Sequence, residues 1–350
     1  MIKYEAECLF STEIIGDTIL QLKSGRLLFY SLRSEYIMEI YNEKTFQKIL
    51  SIDLIIGDLY EEDENKNKNS IKELNNGAII IGRDNYLVEL ILKDNTYKFD
   101  KITKLNDIIL DVNELPDQTI IAITNQNIIL LNIENGKFII KNKYLIKDNW
   151  KISNKHSEDF NQYFSSELLP NNRLLLNSFS LELCEGGMCY FGRSYEFSRS
   201  KIIFMNISNF EEIKTKELIT DNKYIKLENI IIVQSYINLY IYDINSLELI
   251  KTLKLKRENH YIYMYKYDIQ YLITISIDEA DNWIDIYKKQ NNDVIKHGSI
   301  KTNIPFKKEH RWNNEPIKKF NNNKNLLTLK DKRVVIICHN NIYVLKLNLL

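Results

Sequence analysis

The 350-residue sequence predicts an all-β chain: a seven-bladed β-propeller of four-stranded antiparallel blades, closed by its N-terminal strand. Three observations predict it. Short runs rich in β-branched and aromatic residues recur along the whole length, with almost no helical spacing. Pro and Gly are scarce, at 4 and 10 residues, yet polar turns interrupt the runs at regular intervals. The hairpins come in pairs, and a repeating four-strand unit selects a propeller over a sandwich or an open barrel.

The second hairpin of each unit is the clearer one. It reads YIMEIYNEKTFQKIL from Tyr36, NIILLNIENGKFII from Asn127, and KIIFMNISNFEEIKTKEL from Lys201. Two more copies are LYIYDINSLELIKTLKL from Leu239 and NWIDIYKKQNNDVIKHGSI from Asn282. Ahead of these lie TILQLKSGRLLFYS, IKELNNGAIII, VNELPDQTIIAIT, SSELLPNNRLLLN and YIKLENIIIV, with turns SG, NNG, PDQ and PNN. Those residues accept tight-turn backbone angles. Strands a to d then repeat over roughly 14–56, 70–104, 108–147, 163–220, 223–256 and 260–301, with a last unit over 324–350.

That last unit, NLLTLKDKRVVIICHNNIYVLKL, supplies strands a, b and c and no fourth. IKYEAECLF, Ile2 to Phe10, is one alternating strand ahead of the first full unit. It is expected to pair beside Asn341–Leu347 as the missing strand d. Such closure removes the free edge an open array would present.

The turn IYDINSLELIKTL, with Tyr242-Asp243, resembles the end of a WD40 repeat, where Trp-Asp is usual; Tyr41-Asn42 in IYNEKT is a weaker version. The resemblance spans nearly the whole chain and implies a propeller that binds partners. No repeat carries the Gly-His dipeptide of that family, and there are five His in all. The family's Asp-His-Ser/Thr-Trp network is therefore absent from most blades. Apolar packing between sheets must take its place.

Composition bounds the function. Apolar residues make up 44% and charged residues 27%, which suits a sizeable core. Lys+Arg and Asp+Glu are both 47, giving zero net charge. That excludes a broad basic field of the kind that coats nucleic acid or anionic membrane. The four Cys (Cys8, Cys184, Cys189, Cys338) are too few for a disulfide-stapled secreted fold. MIKYEAECLF lacks a signal pattern, and no apolar run approaches a spanning helix. The expected setting is intracellular, most simply cytoplasmic. The Asn, Lys and Ile richness fits an AT-rich genome.

Topology sorts the connections. In an up-and-down blade the b–c and d–a connections share one face, and the a–b and c–d turns share the other. The long segments are 61–70, 146–164, 184–200, 278–282 and 302–320, and all are b–c or d–a. Loops on a rigid scaffold carry binding residues, so this face is the expected working surface. CYFGRSYEFSR holds Tyr190, Phe191, Arg193, Tyr195, Phe197 and Arg199; PFKKEHRWNNEPIKK adds Phe306, Lys307, Lys308, Arg311 and Trp312; Trp150 stands in the 146–164 connection. Tyr, Trp and Arg dominate interface hot spots. The opposing reading is that these aromatics fold inward and fasten their own loops.

Other candidates are weaker. Cys184 and Cys189 are half a zinc site without a second pair, and His156 and His310 are distant in sequence. No metal or cofactor is expected. Asp278, Glu279 and Asp281 read as a solvated turn, and Glu61 to Glu64 as the start of a flexible insertion. Gly186-Gly187 has no strand-to-helix context for a phosphate loop. No catalytic motif occurs. The sequence therefore points to a non-catalytic scaffold or adaptor that binds other proteins. The alternative is a lipid- or nucleic-acid-binding propeller using Lys307, Lys308, Arg311, Lys318 and Lys319. It lacks the paired Arg of phosphoinositide-binding propellers. An enzyme with its site at the channel mouth is the remaining reading.

Overall fold

A computed structural model describes residues 3–11, 18–30, 37–53, 69–151, 161–184, 194–196, 200–218, 223–235, 238–255, 261–277, 282–302, 304, 326–338 and 341–348. These form seven antiparallel sheets. β1 (Lys3–Ser11) precedes blade 1, which is β2–β5 (Thr18–Gln21, Leu27–Tyr30, Ile37–Tyr41, Lys48–Asp53). Blade 2 is β6–β9 (Asn69–Glu73, Ile79–Arg83, Tyr86–Lys93, Thr96–Lys104), and blade 3 is β10–β13 (Ile109–Glu114, Ile120–Thr124, Asn127–Glu134, Lys137–Leu145). Blade 4 holds β14, β15, β17 and β18 (Asn161–Leu169, Arg173–Cys184, Ser200–Asn206, Glu212–Leu218), with β16 (Ser194–Glu196) paired to β15 outside the main order. Blade 5 is β19–β22 (Lys223–Leu227, Ile230–Ser235, Asn238–Asp243, Leu249–Lys254), and blade 6 is β23–β26 (Tyr261–Lys266, Tyr271–Ile277, Asn282–Gln290, Asp293–Thr302). Blade 7 contains β27–β29 (Leu326–Thr328, Arg333–Cys338, Asn341–Asn348).

Blade 7 receives its fourth strand from the other end of the chain. β1 lies antiparallel to β29, with Lys3 opposite Asn348, Tyr4 opposite Leu347 and Ser11 opposite Asn341. The expected closure is present, in the expected register region.

The hydrophobic clusters show why the sheets form a ring. Central strands such as IIIG, IIAI and LLLN are apolar at consecutive positions because both faces of each sheet are covered. Successive strand residues face opposite sides. In β11, Ile121 and Ile123 pack with Leu174 and Leu176 of blade 4, while Ile120 and Ala122 pack with Ile80 and Leu87 of blade 2. The same division holds around the molecule, one apolar layer for each neighbouring pair of blades. The layer that joins Val335, Ile337 and Val344 to Leu27, Phe29 and Phe46 unites blade 7 with blade 1. Outer strands are mostly exposed, as β22 and β13 illustrate.

Packing between blades is tight enough to demand a glycine. A Cβ at Gly82 would sit 2.5 Å from Ile109 Cγ2 and 3.1 Å from Val112 Cγ1, across the blade 2–blade 3 layer. Gly82→Ala is therefore expected to destabilise by about 1–3 kcal/mol through overpacking. Denaturant unfolding checks this, and an unchanged midpoint would mean that the layer yields.

The turns have a recurring solution. Asn42 and Asp243 each accept two backbone N–H bonds on Oδ1, from Lys44 and Thr45 and from Asn245 and Ser246. Asn206 accepts one from Ser208. Four residues on, Phe46, Leu247 and Phe210 adopt φ of 56°, 60° and 54°. Each donates its N–H to the carbonyl of the Asx residue, at 2.8–2.9 Å. Left-handed backbone at a bulky residue costs about 1–3 kcal/mol. It is sustained because each side chain is buried against the preceding blade. Asp243, the residue that stands in the WD40-like position, thus works as a turn cap; the Ser246 N–H chiefly holds its carboxyl below the usual range.

Within single blades, buried carboxylates that the sequence did not single out tie strand c to strand d. Glu39 of β4 is buried and accepts Tyr41 Oη (2.8 Å), Lys48 Nζ (2.9 Å) and Ser51 Oγ (3.4 Å). Asp285 of β25 repeats the arrangement with Lys296 (3.0 Å) and Ser299 (2.5 Å). Glu89 of β8 pairs with Lys101. Burial, aided by Glu39, pushes the Tyr41 phenol well up. The visible signal is an acid within an apolar strand c, as in IMEIY and WIDIY, followed by K-x-x-S in strand d.

Candidate functional site

The two faces of the ring differ in how their polar groups are used. On the a–b side, strand-a residues reach back to the preceding blade. Glu73 accepts the Lys23 N–H (2.5 Å), Glu114 the Asn75 N–H (2.6 Å) and Gln21 the Lys330 N–H (3.2 Å). Lys226 Nζ donates to the Leu168 carbonyl (3.1 Å), and Thr328 Oγ1 to that of Lys266 (3.3 Å). These side chains clasp neighbouring blades where their innermost strands turn. Burial, partly opposed by Lys23, nevertheless pushes the Glu73 carboxyl up.

The inner strands are also occupied with one another. Asp111 accepts Ser70 Oγ (2.6 Å), the Ser166 N–H (2.7 Å) and Ser166 Oγ (2.8 Å). Asn113 donates to Ser166 Oγ (2.6 Å), so three blades share one polar network. On the next inner strand pair, Glu167 lies 3.9 Å from Lys226. Burial pushes its carboxyl up, and Lys226, Lys266 and Lys72 partly offset that shift.

The other face launches every long connection. Residues 54–68 run from β5 to β6, 146–160 from β13 to β14, 185–199 from β15 to β17, and 303–325 from β26 to β27; the expected long connection 278–282 is by contrast short, with only 278–281 between β24 and β25. All leave from strand ends on the b–c and d–a side. The longest a–b turn, by contrast, spans only 22–26, 74–78 or 115–119.

Of the candidate binding residues, Tyr190, Phe191, Arg193, Phe197, Arg199, Phe306, Lys307, Lys308, Arg311 and Trp312 lie outside the described residues. So do Cys189, His156, His310, Lys318, Lys319 and the acidic positions 61–64, 278, 279 and 281. Tyr195 is placed by its backbone alone. It lies in β16 opposite Leu183 and between the pairs Glu182–Glu196 and Cys184–Ser194. The 184–200 connection is thus partly a hairpin: β15 runs past its partner β14 and β16 folds back on it. Among the described residues no cluster of metal-ligating side chains occurs.

Trp150 is the candidate that the structure relocates. It closes a 3-10 turn, Asp148–Trp150, and is only 1% exposed. Its ring packs with Phe164, Ile203 and Phe210 of the blade 3–blade 4 layer. Nε1 donates to Glu212 Oε2 at 2.6 Å, and Lys147 lies over the ring at 5.3 Å. Thr215, then Trp150, hold the Glu212 carboxyl below the usual range. Trp150 therefore fastens its own connection to blade 4 and is withdrawn from the binding surface. An indole buries readily once its N–H finds an acceptor, and Glu212 supplies one from a distant strand.

The class of protein is a seven-bladed β-propeller. No family model matches the chain, and neither does any curated protein sequence. Solved structures do. BamB from Moraxella catarrhalis is similar at 11% identity and TM-score 0.54, with 100% of both chains covered. BBS1N, solved in complex with ARL6DN, is similar at 10% identity and TM-score 0.56, covering 97% of this chain and 94% of that one. The dihydro-heme d1 dehydrogenase NirN is similar at 13% identity and TM-score 0.50, covering 82% of this chain and 66% of that one. At such identity these likenesses show the fold alone. Among the described residues no helix is long and apolar enough to cross a membrane.

Proposed function

We propose that this propeller is a non-catalytic scaffold or adaptor subunit, working inside the cell and holding protein partners on its b–c and d–a face. One observation carries the reading: every long connection leaves from that face, while the a–b side is occupied by clasps between blades. A surface whose polar groups already serve the fold has little left for a partner. Loops on the opposite rim can vary without disturbing the apolar layers. BBS1N, solved with ARL6DN, gives a precedent for a propeller that meets another protein.

Replacing Arg193, Tyr195, Arg311 and Trp312 together with Ala tests the reading. Partners recovered by affinity purification should be lost, with Tm changed by no more than about 2–4 °C, the equivalent of 1 kcal/mol. Retention of all partners would place the working surface elsewhere. Binding that falls steeply with added salt would favour the anionic-ligand alternative, through the lysines between 306 and 319.

A further inference from the structure

Among the described residues, twelve large apolar side chains are exposed, and seven of them belong to blades 2 and 3. Five stand on the outer strands: Phe99 and Ile102 on β9, and Ile139, Ile140 and Leu145 on β13. These two strands lie side by side at the rim. Single exposed apolar residues are ordinary, but a concentration of them marks a contact surface.

The same two strands carry an excess of cations. Lys and Arg together number 47 in the chain, as do Asp and Glu, whereas β9 and β13 hold six Lys and one Asp. Lys98, Lys101 and Lys143 have carboxylate partners, namely Asp94, Glu89 and Asp107. Lys104 lies over the Tyr86 ring at 5.3 Å. Among the described residues, neither it nor the exposed Lys137 and Lys141 meets a carboxylate.

Geometry selects what covers such a rim. Ile139 and Ile140 are consecutive, so they stand on opposite faces of the outermost strand, yet they are 43% and 51% exposed. Ile140 pairs with Leu131 on the side of blade 2, and Ile139 pairs with Asn132 on the other side. A helix or strand of a protein partner covers one face of an edge. A lipid headgroup layer yields around the edge and meets both. Addition of a partner's strand is further opposed by the bulge at Lys141, where the register shifts between Leu130 and Leu131. Lysines on an outer strand also keep other strands away, but that duty does not call for isoleucines exposed between them. A second copy of the chain, docked symmetrically, would set lysines against lysines. On an anionic surface, lysine stems lie along the apolar region while their ammonium groups reach the charged headgroups.

We propose that the rim of blades 2 and 3 rests on an anionic lipid surface, with Ile139, Ile140 and Leu145 entering the headgroup region and Lys137 and Lys141 supplying the attraction. Attachment is edge-on, so the loop-rich face stays open to protein partners. The contact is independent of that face and of the lysines between 306 and 319.

Co-sedimentation of the full chain with vesicles of phosphatidylcholine, with and without about one-third phosphatidylserine, tests this. The chain should sediment with the anionic vesicles, far less with the neutral ones, and less as salt is added. Reversing two charges with Lys137→Glu/Lys141→Glu should weaken binding about ten-fold or more. Leu145→Asp, at a site 72% exposed and so of little risk to folding, should weaken it by a similar factor. No sedimentation with the anionic vesicles, equal sedimentation with the neutral ones, or parent-like binding by either variant overturns the proposal. Capture of the chain by soluble polyglutamate but not by vesicles would assign the rim to an acidic protein instead, and overturns it too. Lys307→Glu/Lys308→Glu should sediment like the parent; loss of binding there would move the lipid contact to that connection. The quadruple loop-face variant should also sediment like the parent, so failure of either reading is distinguishable from failure of the other.

Discussion

Deleting Lys3–Ser11 should abolish the stable monomer. β29 would then present an unpaired edge along Asn341–Asn348, and blade 7 would keep three strands. The expected loss is about 3–5 kcal/mol, because a whole strand's ladder and its share of packing disappear. At roughly 2–4 °C per kcal/mol for a chain of this size or somewhat smaller, Tm should fall by about 10 °C. Size-exclusion chromatography should show self-association through the bared edge. Adding the Lys3–Ser11 peptide in trans should restore part of both properties. A truncated chain that melts at the parent temperature and stays monomeric would show that the ring does not depend on this strand.

The second large effect is expected at Trp150. Trp150→Ala should destabilise by about 3–5 kcal/mol, the usual range for emptying a buried aromatic site. It also leaves Glu212 Oε2 without its indole donor. Trp150→Phe should recover most of the packing and lose only the hydrogen bond, about 0.5–1.5 kcal/mol. Urea unfolding of the three proteins separates the terms. A Trp150→Ala variant that keeps its stability but loses a partner would return this residue to the surface.

Trp150 also shows where sequence reasoning stopped. A tryptophan among Lys, Asp and Asn reads equally well as a hot spot or as a staple. Its acceptor, Glu212, lies on β18 of the next blade, and nothing local announces the pairing. Periodicity did identify the blades, because β-branched runs and polar turns are local signals. It also identified the join of β1 to β29, because a three-strand remainder at one end and a lone strand at the other are complementary.

Tyr242-Asp243 was legible as a repeat end for the same reason: an Asx cap needs only the next few residues. The clasps of Gln21, Glu73 and Glu114 were not legible. They depend on which blade precedes which, and an isolated Glu before a turn resembles ordinary surface charge. Glu39 and Asp285 left a fainter trace, since a carboxylate between two isoleucine-like neighbours breaks the strand pattern. Recognising them required the matching Lys and Ser of the adjacent strand. Most of the candidate binding residues lie in 185–199 and 303–325, where periodicity ends and composition is the only guide.

The pairing of Lys3 with Asn348 brings the two chain ends side by side on one blade. Blade order matters to this molecule only as adjacency, since each apolar layer joins a blade to its two neighbours. A circularly permuted chain, spliced across that junction and reopened within any d–a connection, would preserve every strand pair and every layer. The same architecture is thus accessible from seven further starting points, besides the natural order, which opens the ring between strands c and d of blade 7.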